Sequence, residues 1–96
     1  MNNYMETPSM GEILQEEFMG PMNISAYAIA KAIFVPVSRI QDILKGRRKI
    51  TVDTSLRLGK YFGVSDNYFL SLQNEIDMRN TKHAIKDDLD QIQALA

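Results

Sequence analysis

The stretch Lys31–Thr51, KAIFVPVSRIQDILKGRRKIT, decides how this 96-residue chain is read. An alanine-rich apolar segment stops, a short turn carries Pro36, and a second segment sets Ile40, Ile43 and Leu44 at helical spacing. Gly46 follows, then Arg47, Arg48 and Lys49 in a row. Pro36 pre-sets the backbone of a first helical turn and lacks a donor that would be orphaned there. Gly46 suits the residue just past a helix end. The helix so bounded, about Val37 to Lys45, has only a narrow apolar stripe, while Ser38, Arg39, Gln41, Asp42 and Lys45 lie on its other side. Two short helices joined by a turn of roughly three or four residues form a helix-turn-helix pattern.

Working outward, Ser25 is a natural N-cap for the preceding helix, about Ala26 to Ile33. Its Ala26 and Ala30 let a neighbouring helix cross closely. Ser9 with Glu12 makes a capping-box pattern for a first helix that reaches about Met19 and is expected to stop at Gly20-Pro21. Downstream, Thr51 caps a fourth helix, about Val52 to Phe62. Leu56, Leu58 and Phe62 spread around it, which predicts burial on two sides. Gly59 costs that helix about 1 kcal/mol relative to Ala, and close packing is the expected reason. Ser65 is expected to cap a fifth helix with the stripe Phe69, Leu72 and Ile76, reaching about Asn80. The remainder is either a docked helix or a frayed tail. Strand alternation is weak throughout. The expectation is an all-α bundle of about five helices in a single domain, 1–96, with its core at about 9–80 and a C-terminal tail or dimerisation helix at 81–96.

Composition narrows the function classes. The chain has no Cys, so neither disulfides nor thiolate metal sites arise. No apolar run approaches the roughly 18–20 residues of a membrane span. MNNYMETPSM lacks a basic start followed by an apolar stretch, which argues against a secretory signal and points to the cytoplasm. There is no nucleophile–base pair and no glycine-rich phosphate loop, so an enzyme is poorly supported and no cofactor is implied. Glu16 and Glu17 point about 100° apart on a helix and make no acid–base pair. Asp87, Asp88 and Asp90 lack calcium-loop spacing, and His83 is a lone surface histidine.

The net charge of −1 hides a polarised distribution. From Arg39 to Lys60 there are seven cations against Asp42 and Asp53, whereas both ends of the chain are acidic. A patch matters more than a total when the partner is a polyanion. Ser38, Arg39 and Gln41 sit near the start of the second helix of the motif, where side chains meet base edges in a major groove. Arg39 suits guanine and Gln41 adenine. Arg47, Arg48 and Lys49 suit phosphates, and the amides opening the fourth helix at Thr51 add positive dipole. Arg57 and Lys60 are expected to solvate the exposed side of that helix. The first turn position usually takes Gly, because the chain turns left-handed there, but here it is Phe34. Either its ring packs on the core or the turn differs.

The segments GEILQEEF (Gly11–Phe18), SAYAIAKA (Ser25–Ala32), VPVSRIQDIL (Val35–Leu44), GRRKITVDTSLRLGKYFGVS (Gly46–Ser65) and FLSLQNEIDMR (Phe69–Arg79) together resemble the HigA-type antitoxins of the lambda-repressor-like (XRE) helix-turn-helix superfamily. The resemblance covers about Gly11 to Arg79. That family commonly opens with His-Pro-Gly-Glu, where this chain has Ser9-Met10-Gly11-Glu12, and commonly has Gly at the position of Phe34. The resemblance implies a lambda-repressor-like bundle and a homodimeric repressor of its own operon, bound to a palindromic double-stranded operator. It also implies a partner, a small basic ribonuclease toxin of RelE-like fold. By position, Val37, Ser38, Arg39, Gln41 and Lys45 would face bases, and Ser25, Tyr27, Arg47, Arg48, Lys49 and Thr51 would face phosphates. On its residues alone, Tyr27 covers a core edge equally well. Two alternatives stand beside this reading. One is a plain XRE-type regulator without a toxin. The other is a protein-interaction module on the same scaffold, using its acidic ends on a basic toxin or polymerase subunit.

Overall fold

Residues 7–95 are described in a computed structural model, and the regular structure among them is entirely helical. The reading of residues 1–6 lies outside this range. Helix α1 runs without interruption through Met10–Ile13, a π-helical stretch Leu14–Met19 and a last turn Gly20–Met22. It is followed by α2 (Ala26–Ala32), α3 (Val37–Leu44), α4 (Val52–Phe62), α5 (Tyr68–Ala84) and α6 (Lys86–Gln91).

Side chains start three of these helices as expected. Ser9 Oγ accepts from the Glu12 amide at 3.1 Å, Ser25 Oγ from Ala28 at 3.0 Å and Thr51 Oγ1 from Thr54 at 3.3 Å. Four helix ends share another device. Asn23, Phe34, Gly46 and Gly63 take φ of 54°, 62°, 76° and 72°. After each, the next amide reaches five residues back, Ile24 to Met19, Val35 to Ala30, Arg47 to Asp42 and Val64 to Gly59, at 2.8–3.0 Å.

Some expectations change. Gly20-Pro21 does not stop α1. The π stretch resets the register, with the Gly20 amide donating to Gln15 O, so Pro21 enters in the first turn of the following segment, where a missing donor costs little. Asn23 makes the stop instead. Ser65 does not cap α5 with its hydroxyl. Its carbonyl accepts from Tyr68 N at 3.1 Å and Asn67 takes the cap position. Leu56 is 45% exposed, so α4 is not apolar on two sides. Its inner face is Thr54, Ser55, Leu58 and Gly59. Ser55 is satisfied there, donating to Asp66 O at 2.7 Å and accepting from Leu70 N at 3.1 Å.

The core is built from Leu14, Ile29, Ile40, Ile43, Leu58 and Phe69, all fully buried. At one end Phe18, Phe62 and Phe69 interlock, with ring centroids 4.8–6.0 Å apart. Close approaches set the helix positions. A Cβ on Gly59 would lie 2.7 Å from the Ser65 carbonyl oxygen, and one on Gly11 would collide with the backbone of Leu44 at the end of α3. Past Asn80 the chain stays helical to Ala84, breaks at Ile85 and resumes as α6, which packs on α5 and is exposed throughout.

Candidate nucleic-acid interface

Helix α3 buries Ile40 and Ile43 and packs against α2 and α1. That single stripe turns Ser38, Gln41 and Lys45 outward, all exposed and spaced three and four residues apart on one face. Val37 is half-buried and packs against the core, so only part of it is open. Arg39 is half-buried, and its Nη1 donates to Asp53 Oδ2 at 2.8 Å. This bond joins the polar side of α3 to the first turn of α4.

The turn before α3 is made as the pattern requires. Phe34 is left-handed, yet the residue is 86% exposed. Core packing of the ring therefore does not explain its tolerance. The Val35 amide bond to Ala30 O holds the corner, and Arg57 Nη1 donates to Ile33 O at 2.8 Å. Arg57 is thus bonded rather than merely solvated. Its Nε also donates to Asp53 Oδ2 at 2.9 Å. The hydrogen bond from Arg57, followed by that from Arg39, holds the Asp53 carboxyl below its usual 3.8 against a desolvation effect that works the other way.

Beyond α3, the Gly46 amide bonds Ile43 O and the Arg47 amide bonds Asp42 O, closing the helix and leading into the cationic loop. Arg47 and Arg48 are exposed, and among the described residues no ion pair engages them. Lys49 Nζ lies 3.1 Å from Asp77 Oδ2 on α5. The Ile50 amide donates to Gln73 Oε1 at 3.2 Å, and Gln73 Nε2 donates to Asp77 Oδ1 at 3.2 Å. Gln73, 7% exposed, straps this loop to the body. Thr51 caps α4, so the first amides of α4 open beside the loop. Ser25 caps α2, and Tyr27 is exposed rather than covering a core edge. Among the described residues no hydrogen bond or ion pair links Ser25 or Tyr27 to α3.

Three positioning residues escaped the sequence. Asp53 and Arg57 stand four apart, a spacing that marks a helical ion pair, but nothing local shows that Arg39 joins them. Gln73 interrupts an apolar stripe, a signal that a buried amide must find a partner.

The helix-turn-helix family model matches residues 16–69. Virulence-associated protein I of Dichelobacter nodosus is 46% identical over 77 residues, covering 80% of this chain and 71% of that protein. The structure of the Pseudomonas aeruginosa antitoxin HigA with the higBA promoter superposes with a TM-score of 0.84 at 32% identity, over 93% of this chain and 98% of that one. PA4674 of the same organism, in complex with its 18-base-pair operator DNA, gives 0.88 at 33% identity, over 96% of this chain and all of that one. The chain therefore belongs to the lambda-repressor-like (XRE) helix-turn-helix family, alongside the HigA-type antitoxins.

Proposed function

We propose that this protein is a sequence-specific DNA-binding repressor and the antitoxin of a toxin–antitoxin module. One observation carries the DNA part. The exposed face of α3 is bonded through Arg39 to the start of α4, next to the cationic loop, which supports a groove-reading helix flanked by phosphate-binding groups. The relatives solved with promoter or operator DNA support the same reading. In it, Val37, Ser38, Arg39, Gln41 and Lys45 meet base edges. Ser25, Tyr27, Arg47, Arg48, Lys49 and Thr51 meet phosphates. A homodimer sets two α3 helices about 34 Å apart on a palindrome. The protein works in the cytoplasm, represses its own operon and neutralises a small basic ribonuclease of RelE-like fold. Solved neighbours that are themselves antitoxins support the antitoxin role, and the resemblance of the sequence suggests the kind of toxin.

Fluorescence anisotropy with the DNA upstream of its own gene tests the repressor. The expected affinity is about 10 nM or tighter at physiological salt, at least about a thousandfold tighter than for a scrambled duplex. Equal affinity for the two duplexes rules out repression of its own operon, and no binding to either leaves the protein-interaction module. Co-purification with the product of the adjacent reading frame tests the antitoxin role. If that product does not bind, the protein is a plain regulator.

A further inference from the structure

An anion at the centre of a DNA-binding front requires a reason. Asp53 is 54% exposed in its side chain and lies two residues after Thr51, which the repressor reading assigns to phosphates. By charge alone it weakens binding to every duplex. Its bonds indicate what it offers in return. Oδ2 accepts from both Arg39 and Arg57, and Arg57 also donates to Ile33 O, a carbonyl at the end of α2. The series runs from the end of α2, through α4, to α3. Arg57 bonds at both edges, to Ile33 O and to Asp53 Oδ2, so the carboxylate has a partner that is itself tied to the end of α2. Arg39 Nη1 is bound to that carboxylate while its other donors stay unused by it. A guanidinium ordered in advance loses less freedom when it meets the paired acceptors of a guanine.

Resting on the repressor reading above, we propose that Asp53, anchored by Arg57, is a specificity-determining positioning residue that holds Arg39 for one guanine. Charge and positioning predict opposite outcomes, which makes the assignment testable. The probe is a duplex selected from a random pool by the full-length wild-type protein, together with its single-base-pair variants and bulk DNA. If the wild type selects no sequence over bulk DNA, the repressor reading falls, and the proposal with it. If it selects one, Asp53→Asn is expected to reduce discrimination about tenfold at a single base pair. That pair is the one at which Arg39→Ala also loses discrimination. Affinity for bulk DNA stays equal or rises, and Asp53→Asn adds nothing at that pair in the Arg39→Ala background. Arg57→Lys keeps the charge but loses the two-edged anchor, and it is expected to lose discrimination at the same pair. It also decides the matter if Asp53→Asn does not fold. Unchanged discrimination in the folded variants, or a loss spread equally over all sequences, overturns the proposal.

Discussion

Phe34 shows at the scale of one residue how a rule can be kept by an unsuited side chain. The corner needs a left-handed residue, and Phe takes φ 62° with its ring in solvent. A non-Gly residue there carries strain of about 1–2 kcal/mol. Phe34→Gly removes it without losing buried area, although Gly gives some of the gain back by loosening the unfolded chain. The expected net effect is a stabilisation of about 0.5–1 kcal/mol, read from urea unfolding midpoints at unchanged slope. Asp53 supplies a second test at this scale. Its folded-state pKa lies below the ordinary 3.8 because Arg57, then Arg39, favour the carboxylate. Its contribution to stability is therefore present above that value and is lost as pH falls through the folded pKa. A carboxyl-carbon NMR titration should place its midpoint below 3.8, and Arg57→Ala should move the midpoint up.

Among elements, the decisive contacts are those that fix α3 and the loop after it. Gly59 lets α4 pass the Ser65 carbonyl at a distance no methyl tolerates. Gly59→Ala improves helix propensity by about 1 kcal/mol, yet the overlap with backbone outweighs it. The expected net cost is about 1–2 kcal/mol, measured by thermal unfolding. The strap at Gln73 ties the cationic loop to α5. Gln73→Leu leaves the buried Ile50 amide without its acceptor, at a cost of about 1–3 kcal/mol. Freed of its strap, the loop should also exchange its amide hydrogens faster. An unchanged exchange rate at Ile50 would show that the strap holds nothing.

At the scale of the whole molecule, charge and shape organise the assembly. The formal charge is −1, yet the cations gather between Arg39 and Lys60. DNA affinity should therefore fall linearly in log–log with salt, and Arg48→Ala should reduce that slope by about 1. An unchanged slope would remove Arg48 from the phosphate contacts. The first half of α5 is held in the core through Phe69, Gln73 and Ile76, whereas every described residue from Met78 onward is exposed. Met78, Ile85, Leu89 and Ile92 are the large apolar side chains exposed along α5 and α6 and just past them.

The sequence by itself determined what depends on neighbours along the chain. Helical spacing located α2, α3 and α4, Ser9, Ser25 and Thr51 marked three starts, and Gly46 and Gly63 marked two stops. These signals act within about one turn of helix and need no tertiary partner. Tertiary structure decided the rest. Gly20-Pro21 reads as a stop, but the π register carries α1 past it, with Leu14, Phe18 and Met19 of that stretch held in the core. Leu56 reads as core, but Ser55 takes the inner face because Asp66 and Leu70 satisfy its hydroxyl. In the candidate site, the outward face of α3 and its cationic exit were legible. The link from Arg39 to Asp53 was not, since it spans 14 residues and exists only once α3 and α4 have packed. A hydrogen bond between distant residues has no periodicity to announce it, and the fold alone supplies the proximity.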